Sequence, residues 1–468
     1  MPRVALLLGP LALLVLTSAS HAEAVAEARL AAGTTPLDAY VAAPDDSFHW
    51  EVVERIDKPT HTELIVDLTS QTWRTQEEVS RPEWRHWLTI VAPKGADAST
   101  ALLFIVGGAN GGGPPERADK RTIGAALQTQ SVVASIGMIP NQPLAVLDSK
   151  QPQRGRYEDD LLAATWIECM KTKDPTWLAQ LPMAKSAVAG MTAVQEATAT
   201  IDGAPAIERF TVAGGSKRGW TTWLAAAVDD RVAAIAPIVI DVLNIAPSMK
   251  HHLASYGSWS RALKDYEGQG LADRLDDKES AGIRAIVDPY VYRERYTMPK
   301  CVINASGDEF FLPDSSRFYY DDLVGEKHLS YTPNAGHSLK GSDALDTLVA
   351  FHASVVHGLS RPTVTWTGDH SAAEHVVTCS SRPAEAVLWR AVNPDARDFR
   401  HPVIGDAFEA TPLEPQPDGT YRVPIAAPER GFSATFARFT FDIGAAKPFR
   451  VSTPVWVAPD VEPFAEGN

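Results

Sequence analysis

The stretch Phe210-Thr-Val-Ala-Gly-Gly-Ser-Lys-Arg-Gly-Trp220 constrains this chain more than any other part of it. Phe210 to Val212 is a β-branched and aromatic run of strand character, and Trp220 to Val228 carries apolar residues at helical spacing. A serine set between Gly214-Gly215 and a helix start has the geometry of a nucleophile elbow. Glycines suit such a turn because its backbone is strained and packs tightly on its neighbours. A hydroxyl presented there attacks a carbonyl only when a base and an oxyanion hole lie within reach. The rest of the chain must supply them.

Around this turn, short apolar runs alternate with longer helical stretches. Ala101 to Val106, Ser131 to Ile136, Val232 to Ile240, Pro299 to Asn304 and His328 to Tyr331 read as strands. Tyr157 to Lys171, with Glu158, Asp159 and Asp160 in its first turn, reads as a helix, as do Ala187 to Ala197 and Ser342 to His357. This rhythm predicts a mainly parallel sheet flanked by helices. His49 to Ala92 alternates instead, and is expected to add antiparallel strands to the same sheet. Residues 241–296 are rich in Tyr, Trp, His and charge and read as a helical insertion, either a lid over the strand ends or a surface excursion. After Gly358-Leu-Ser-Arg-Pro362 the texture becomes short strands and turns, which predicts a small antiparallel sandwich.

Two downstream segments fit the partners of Ser216. Cys301-Val-Ile-Asn-Ala-Ser-Gly-Asp308 is a buried strand ending in a Gly-Asp turn, and Asn334-Ala-Gly-His337 follows the next strand. The order Ser216, Asp308, His337 is that of the α/β-hydrolases, with His337 as base and Asp308 as its orienting acid. Glu309 and Asp314 are alternatives for the acid, and Asp308 is preferred because it comes first after the strand. The oxyanion donors are expected to be the backbone N–H of Lys217 and one from the loop Gly107-Gly-Ala-Asn-Gly-Gly-Gly113, with Ala109 and Asn110 the first candidates. The histidines 61, 86, 251, 252 and 375 lack metal-ligand spacing, and no metal or organic cofactor is implied.

Gly-Gly-Ser216-Lys-Arg-Gly-Trp-Thr-Thr-Trp223, Gly307-Asp-Glu-Phe-Phe-Leu-Pro-Asp314, Leu181-Pro-Met-Ala-Lys-Ser186, Glu158-Asp-Asp160 and Arg81-Pro-Glu-Trp84 together resemble the PhoPQ-activated pathogenicity-related protein family. The resemblance implies an α/β-hydrolase fold with Ser216, Asp308 and His337 as triad and a β-rich C-terminal domain. The expected division is a signal peptide over 1–22, a hydrolase domain over 23–360 and a sandwich-like accessory domain over 361–468. One departure stands out. The usual elbow has glycine two places after the serine, whereas here that place holds Arg218 and the glycine is Gly219. The pattern is similar to that of glucuronoyl esterases. Lys217 and Arg218 either face inward, with Arg218 binding a substrate carboxylate, or pair with nearby acids on the elbow helix.

The chain ends and composition limit the setting. Met1-Pro-Arg3, an apolar run from Val4 to Val15 and small residues at Ser20 and Ala22 read as a cleaved signal peptide, hence a secreted or periplasmic protein with no later membrane span. A net charge of −15 on 468 residues argues against nucleic acid as a partner, because nothing would neutralise phosphates. Three cysteines permit at most one disulfide, so cross-links do not define the fold. The chain therefore reads as a serine hydrolase acting on a small-molecule, glycan or peptide substrate. A carboxylic ester, including a carbohydrate or uronate ester, is the first reading. The alternatives are an exopeptidase-like enzyme and a non-catalytic binding or signalling protein on a hydrolase fold.

Overall fold

The computed structural model describes residues 34–149 and 151–465. The signal-peptide expectation for residues 1–22 lies outside them. Nine strands form the main sheet: β1 (His49–Asp57), β2 (His61–Thr72), β3 (Glu83–Pro93), β4 (Thr100–Ile105), β5 (Val133–Ile136), β6 (Arg209–Gly215), β7 (Val232–Ile238), β8 (Lys300–Ala305) and β9 (Lys327–Thr332). Their spatial order is β1-β2-β3-β5-β4-β6-β7-β8-β9. β1, β2, β3 and β5 pair antiparallel in sequence, and every pair from β5 through to β9 is parallel. With helices on both faces, this is an α/β-hydrolase fold.

The central strands alternate their side chains between two cores. Leu103, Val212 and Val302 point into the core under the helices Glu158–Thr172, Gln180–Thr198 and Lys217–Val228. Leu102, Ala213 and Ile303 point into the core under Lys120–Thr129 and Ala344–His357. Burial on both faces is why these strands read as unbroken apolar runs. The edge strand β1 is largely exposed and alternates with charge. Cys169 and Cys301 are buried, and all three thiols are free. Among the described residues no helix is long and apolar enough to cross a membrane.

Residues 241–296 are helical, with helices Ile245–Tyr256, Lys264–Gly268 and Lys278–Val287 joined by short 3-10 turns. Beyond residue 360 the chain forms β10 (Val364–Thr367), β11 (Glu374–Cys379), β12 (Glu385–Asn393), β13 (Glu409–Pro412), β14 (Tyr421–Pro424), β15 (Phe432–Phe441), β16 (Phe449–Ser452) and β17 (Trp456–Ala458). They make an antiparallel sheet β10-β11-β14 and a second sheet β13-β12-β15-β16, in which β17 also pairs with β15. Tyr421 meets Phe439 across the space between the sheets, ring centroids 5.1 Å apart.

This β-rich domain is bonded into the hydrolase domain. Arg397, 2% exposed, pairs with the buried Asp314 at 2.6 Å, and His251 from the insertion lies 3.2 Å from the same carboxylate. Burial alone would raise the Asp314 carboxyl, but the charges and hydrogen bonds of Arg397 and His251 hold it well below its ordinary value. The Tyr331 N–H of β9 donates to Ser452 Oγ of β16 at 2.8 Å, so the last strand of the main sheet is capped. Removing one partner of a buried pair leaves an uncompensated charge. Arg397→Met is expected to lower the unfolding free energy by about 3 kcal/mol, and Arg397→Met/Asp314→Leu to recover most of that loss. Urea unfolding curves of the three proteins measure both effects.

Candidate active site

The strand β6 ends at Gly215, and Ser216 follows at φ 57° and ψ −124° before the helix Lys217–Val228. A non-glycine residue there carries strain of about 1–3 kcal/mol. The turn is pinned by Ser216 N–H donating to Ile238 O of β7 at 2.8 Å and by Trp220 N–H donating to Ser216 O at 3.0 Å. A Cβ on Gly214 would sit 2.6 Å from Arg218 O, and one on Gly219 would sit 2.9 Å from Gly214 O. Gly215 has open space. The glycines that the close approach demands are therefore 214 and 219, which accounts for the unusual spacing after the serine.

His337 and Asp308 stand at the same C-terminal sheet edge, beyond β9 and β8. His337 Nδ1 is 2.8 Å from Asp308 Oδ2 and 3.0 Å from Oδ1. A carboxylate only accepts, so Nδ1 is the donor, and in the neutral ring Nε2 is left as an acceptor. Asp308 is 4% exposed and its Oδ1 also accepts from Phe310 N–H at 2.7 Å. Glu309 has a different task, accepting the backbone N–H of His337 at 2.6 Å. Asp314 is committed to Arg397 and His251. Of the three acids weighed from the sequence, Asp308 is the one bonded to the imidazole. Among the described residues no hydrogen bond joins Ser216 Oγ to His337, a pairing that commonly tightens only with substrate bound.

Both elbow cations are held by acids from the helix Glu158–Thr172. Lys217 Nζ pairs with Asp159 Oδ2 at 2.8 Å, and the Tyr266 hydroxyl of the insertion donates to Asp159 Oδ1 at 3.0 Å. Arg218 grips Glu158 with two N–H groups at 2.8 and 2.5 Å, and its Nε donates to Ile139 O at 2.6 Å. Burial alone would raise the Glu158 carboxyl, yet Arg218, with Lys217 and Gln142, holds it below its ordinary value. A Cβ at Gly107 would overlap the Arg218 guanidinium, so the glycine loop lies directly on it. Arg218, expected as a substrate-binding group, is occupied by Glu158 instead. The sequence offered these pairs only as Glu158-Asp159 and Lys217-Arg218, two neighbouring doublets far apart in the chain.

The oxyanion candidates divide in the same way. Lys217 is the first residue of its helix, where backbone N–H groups have no intrahelical acceptor. Asn110 N–H donates to Gln142 O at 2.5 Å and Asn110 Nδ2 to Pro143 O at 3.4 Å, so Asn110 is turned to its own neighbours and is not a free donor. Ala109 N–H has no protein acceptor among the described residues and is exposed.

Sequence reasoning missed Asp241, which follows β7. It is 3% exposed and accepts the hydroxyls of Tyr319 at 2.6 Å and Tyr331 at 2.5 Å. Burial pushes its carboxyl up to about 7; the two hydroxyls oppose this, and the charges of Asp308 and Asp314 add to it. The folded protein thus keeps a proton that the unfolded chain releases near 3.8, so this group's contribution to stability falls as pH rises from about 4 to about 7. Urea unfolding across that range is expected to show the wild type losing stability relative to Asp241→Asn by at most about 1.4 kcal/mol per pH unit.

A family described as PhoPQ-activated pathogenicity-related protein matches residues 37–400. "Autocrine proliferation repressor protein A" of Dictyostelium discoideum is 39% identical over 459 residues, 92% of this chain and 92% of that protein. Among solved structures, an acetyl xylan esterase from Paenibacillus sp. R4 superposes with TM-score 0.45 and 14% identity, covering 68% of this chain and 92% of that one. A glucuronoyl esterase from Solibacter usitatus gives 0.41 and 13%, covering 68% and 90%. An acylaminoacyl peptidase of Pyrococcus horikoshii gives 0.40 and 14%, covering 65% and 49%.

Proposed function

The chain belongs to the PhoPQ-activated pathogenicity-related protein family, and we propose that it is a secreted or periplasmic serine hydrolase acting on a carboxylic ester through an acyl-enzyme. One observation carries the reading. A serine at φ 57° on a strand-to-helix turn shares a sheet edge with a histidine bonded through Nδ1 to a buried aspartate. Phe310 links the two parts: its ring centroid lies 4.3 Å from that of His337, and it lines the same cavity as Ser216.

In this reading Ser216 Oγ bonds to the ester carbonyl carbon while its proton passes to His337 Nε2. Asp308 holds the ring and stabilises the imidazolium that forms. The N–H groups of Lys217 and Ala109 receive the developing oxyanion. His337 then returns the proton to the departing alcohol, and a water activated by the same ring releases the acid and restores Ser216. With Lys217 and Arg218 both held by acids, the catalytic help of the elbow comes from backbone dipoles and not from side-chain charge.

A second reading, a signalling protein without catalysis, draws on the name of the Dictyostelium relative. A fluorophosphonate probe separates the two. The hydrolase reading expects covalent labelling of the wild type and its loss in Ser216→Ala. His337→Ala is expected to slow labelling by about a hundredfold or more, the usual scale of general-base assistance. A folded wild type that takes no label favours the signalling reading.

A further inference from the structure

A partly enclosed, mainly apolar cavity opens beside Ser216. Its wall is built from two sources. Trp166, Trp220 and Ile240 come from the hydrolase core, and Trp259, Leu263 and Leu271 come from the insertion. Apart from the Ser216 hydroxyl and the Trp259 indole N–H, the polar side chains in the wall are already engaged. Lys217 and the Tyr266 hydroxyl are bonded to Asp159, the Trp220 indole N–H donates to Val287 O at 2.5 Å, and the Trp166 indole N–H donates to Gln180 Oε1 at 3.2 Å. A sugar hydroxyl or a carboxylate entering here would give up its water and, beyond one indole N–H on Trp259, meet side-chain groups that are already bonded. An alkyl or aromatic group would gain from every apolar contact.

The position of the base decides which half of an ester the cavity holds. The leaving alcohol must receive its proton from His337, so it lies on the His337 side of Ser216. His337 does not line the cavity; the Phe310 ring, packed on the imidazole, does. The group in the cavity is therefore the one that stays bonded to Ser216. Resting on the hydrolase reading, we propose that the cavity is an acyl site, and that the substrates are esters of bulky apolar carboxylic acids and not acetylated sugars or uronates. The helical insertion then sets specificity, because it supplies half of the named wall.

The purified full chain tests this with p-nitrophenyl acetate and octanoate alongside the fluorophosphonate probe. Each methylene buried is worth about fourfold, so the kcat/KM ratio of octanoate to acetate is expected to reach about 100 even if only part of the longer chain is buried. Ala272, also in the wall, is a position where added volume fills the cavity. Ala272→Phe is expected to cut the ratio at least tenfold, and a ratio cancels any loss of folded protein. A ratio near or below one in a wild type that labels at Ser216 overturns the acyl site and leaves the hydrolase reading standing. A high ratio untouched by Ala272→Phe overturns the assignment to this cavity. A wild type that takes no label overturns the hydrolase reading and the acyl site with it.

Discussion

The contact on which the site depends is backbone against backbone, where the helix Lys217–Val228 meets the ends of β6 and β7. Ser216 can hold φ 57° only because its surroundings over-determine it. Gly214 lets the Arg218 carbonyl approach, and Gly219 lets the helix close on Gly214 O and Ile238 O. Behind them Trp223 and Leu224 are fully buried, which drives the helix down onto the sheet. Side-chain burial thus supplies the force, and the two glycines supply the clearance. Neither alone would aim the serine.

A second constraint acts on the loops carrying Asp308 and His337. Loops that bear functional groups need a rigid support, and here much of it comes from the C-terminal domain. His401 N–H donates to Gly307 O at 2.8 Å, directly before Asp308, and a Cβ on Gly307 would strike His401. Asn334, three residues before His337, exchanges two hydrogen bonds of 2.9 Å with the backbone of Phe408. Arg400 donates to Ser260 Oγ at 3.2 Å, and Ser260 donates to Glu309 O at 2.6 Å, which brings the insertion into the same network. The buried Asp314–Arg397 pair anchors the chain just before Arg400 and His401. The β-rich domain is therefore part of what positions Asp308 and His337.

How much of this was legible in the sequence follows from the range of the forces involved. Continuous apolar runs disclosed β4, β6, β7 and β8, because burial on both faces leaves no polar register. That Asp308, and not Glu309 or Asp314, meets the His337 ring accords with its being the first of the three after the strand. β13 was not readable: all four of its residues are exposed, and it exists through pairing with β12. Nor was the fate of Asn110, because the orientation of a peptide group in a glycine loop depends on which carbonyl faces it, here Gln142 O. Asp241 was invisible for a related reason. Its partners Tyr319 and Tyr331 are 78 and 90 residues away.

The elbow doublet Lys217-Arg218 shows the same logic in charge. Two cations beside the elbow serine suggest a site that attracts an anion, but each has an acid from the adjacent helix start within 2.8 Å. In a partly buried setting an unpaired ion bears a desolvation cost that a nearby opposite charge offsets, so paired doublets are the stable arrangement. Pairing also divides the labour between the two cations. Arg218–Glu158 ties the elbow to Gly107 of the glycine loop and to Ile139. Lys217–Asp159 reaches the other way, since Asp159 also holds Tyr266 of the insertion. The charged doublet therefore works as a two-sided joint. It sets the glycine loop on one flank of Ser216 and the apolar roof on the other, and leaves the space between them without free charge.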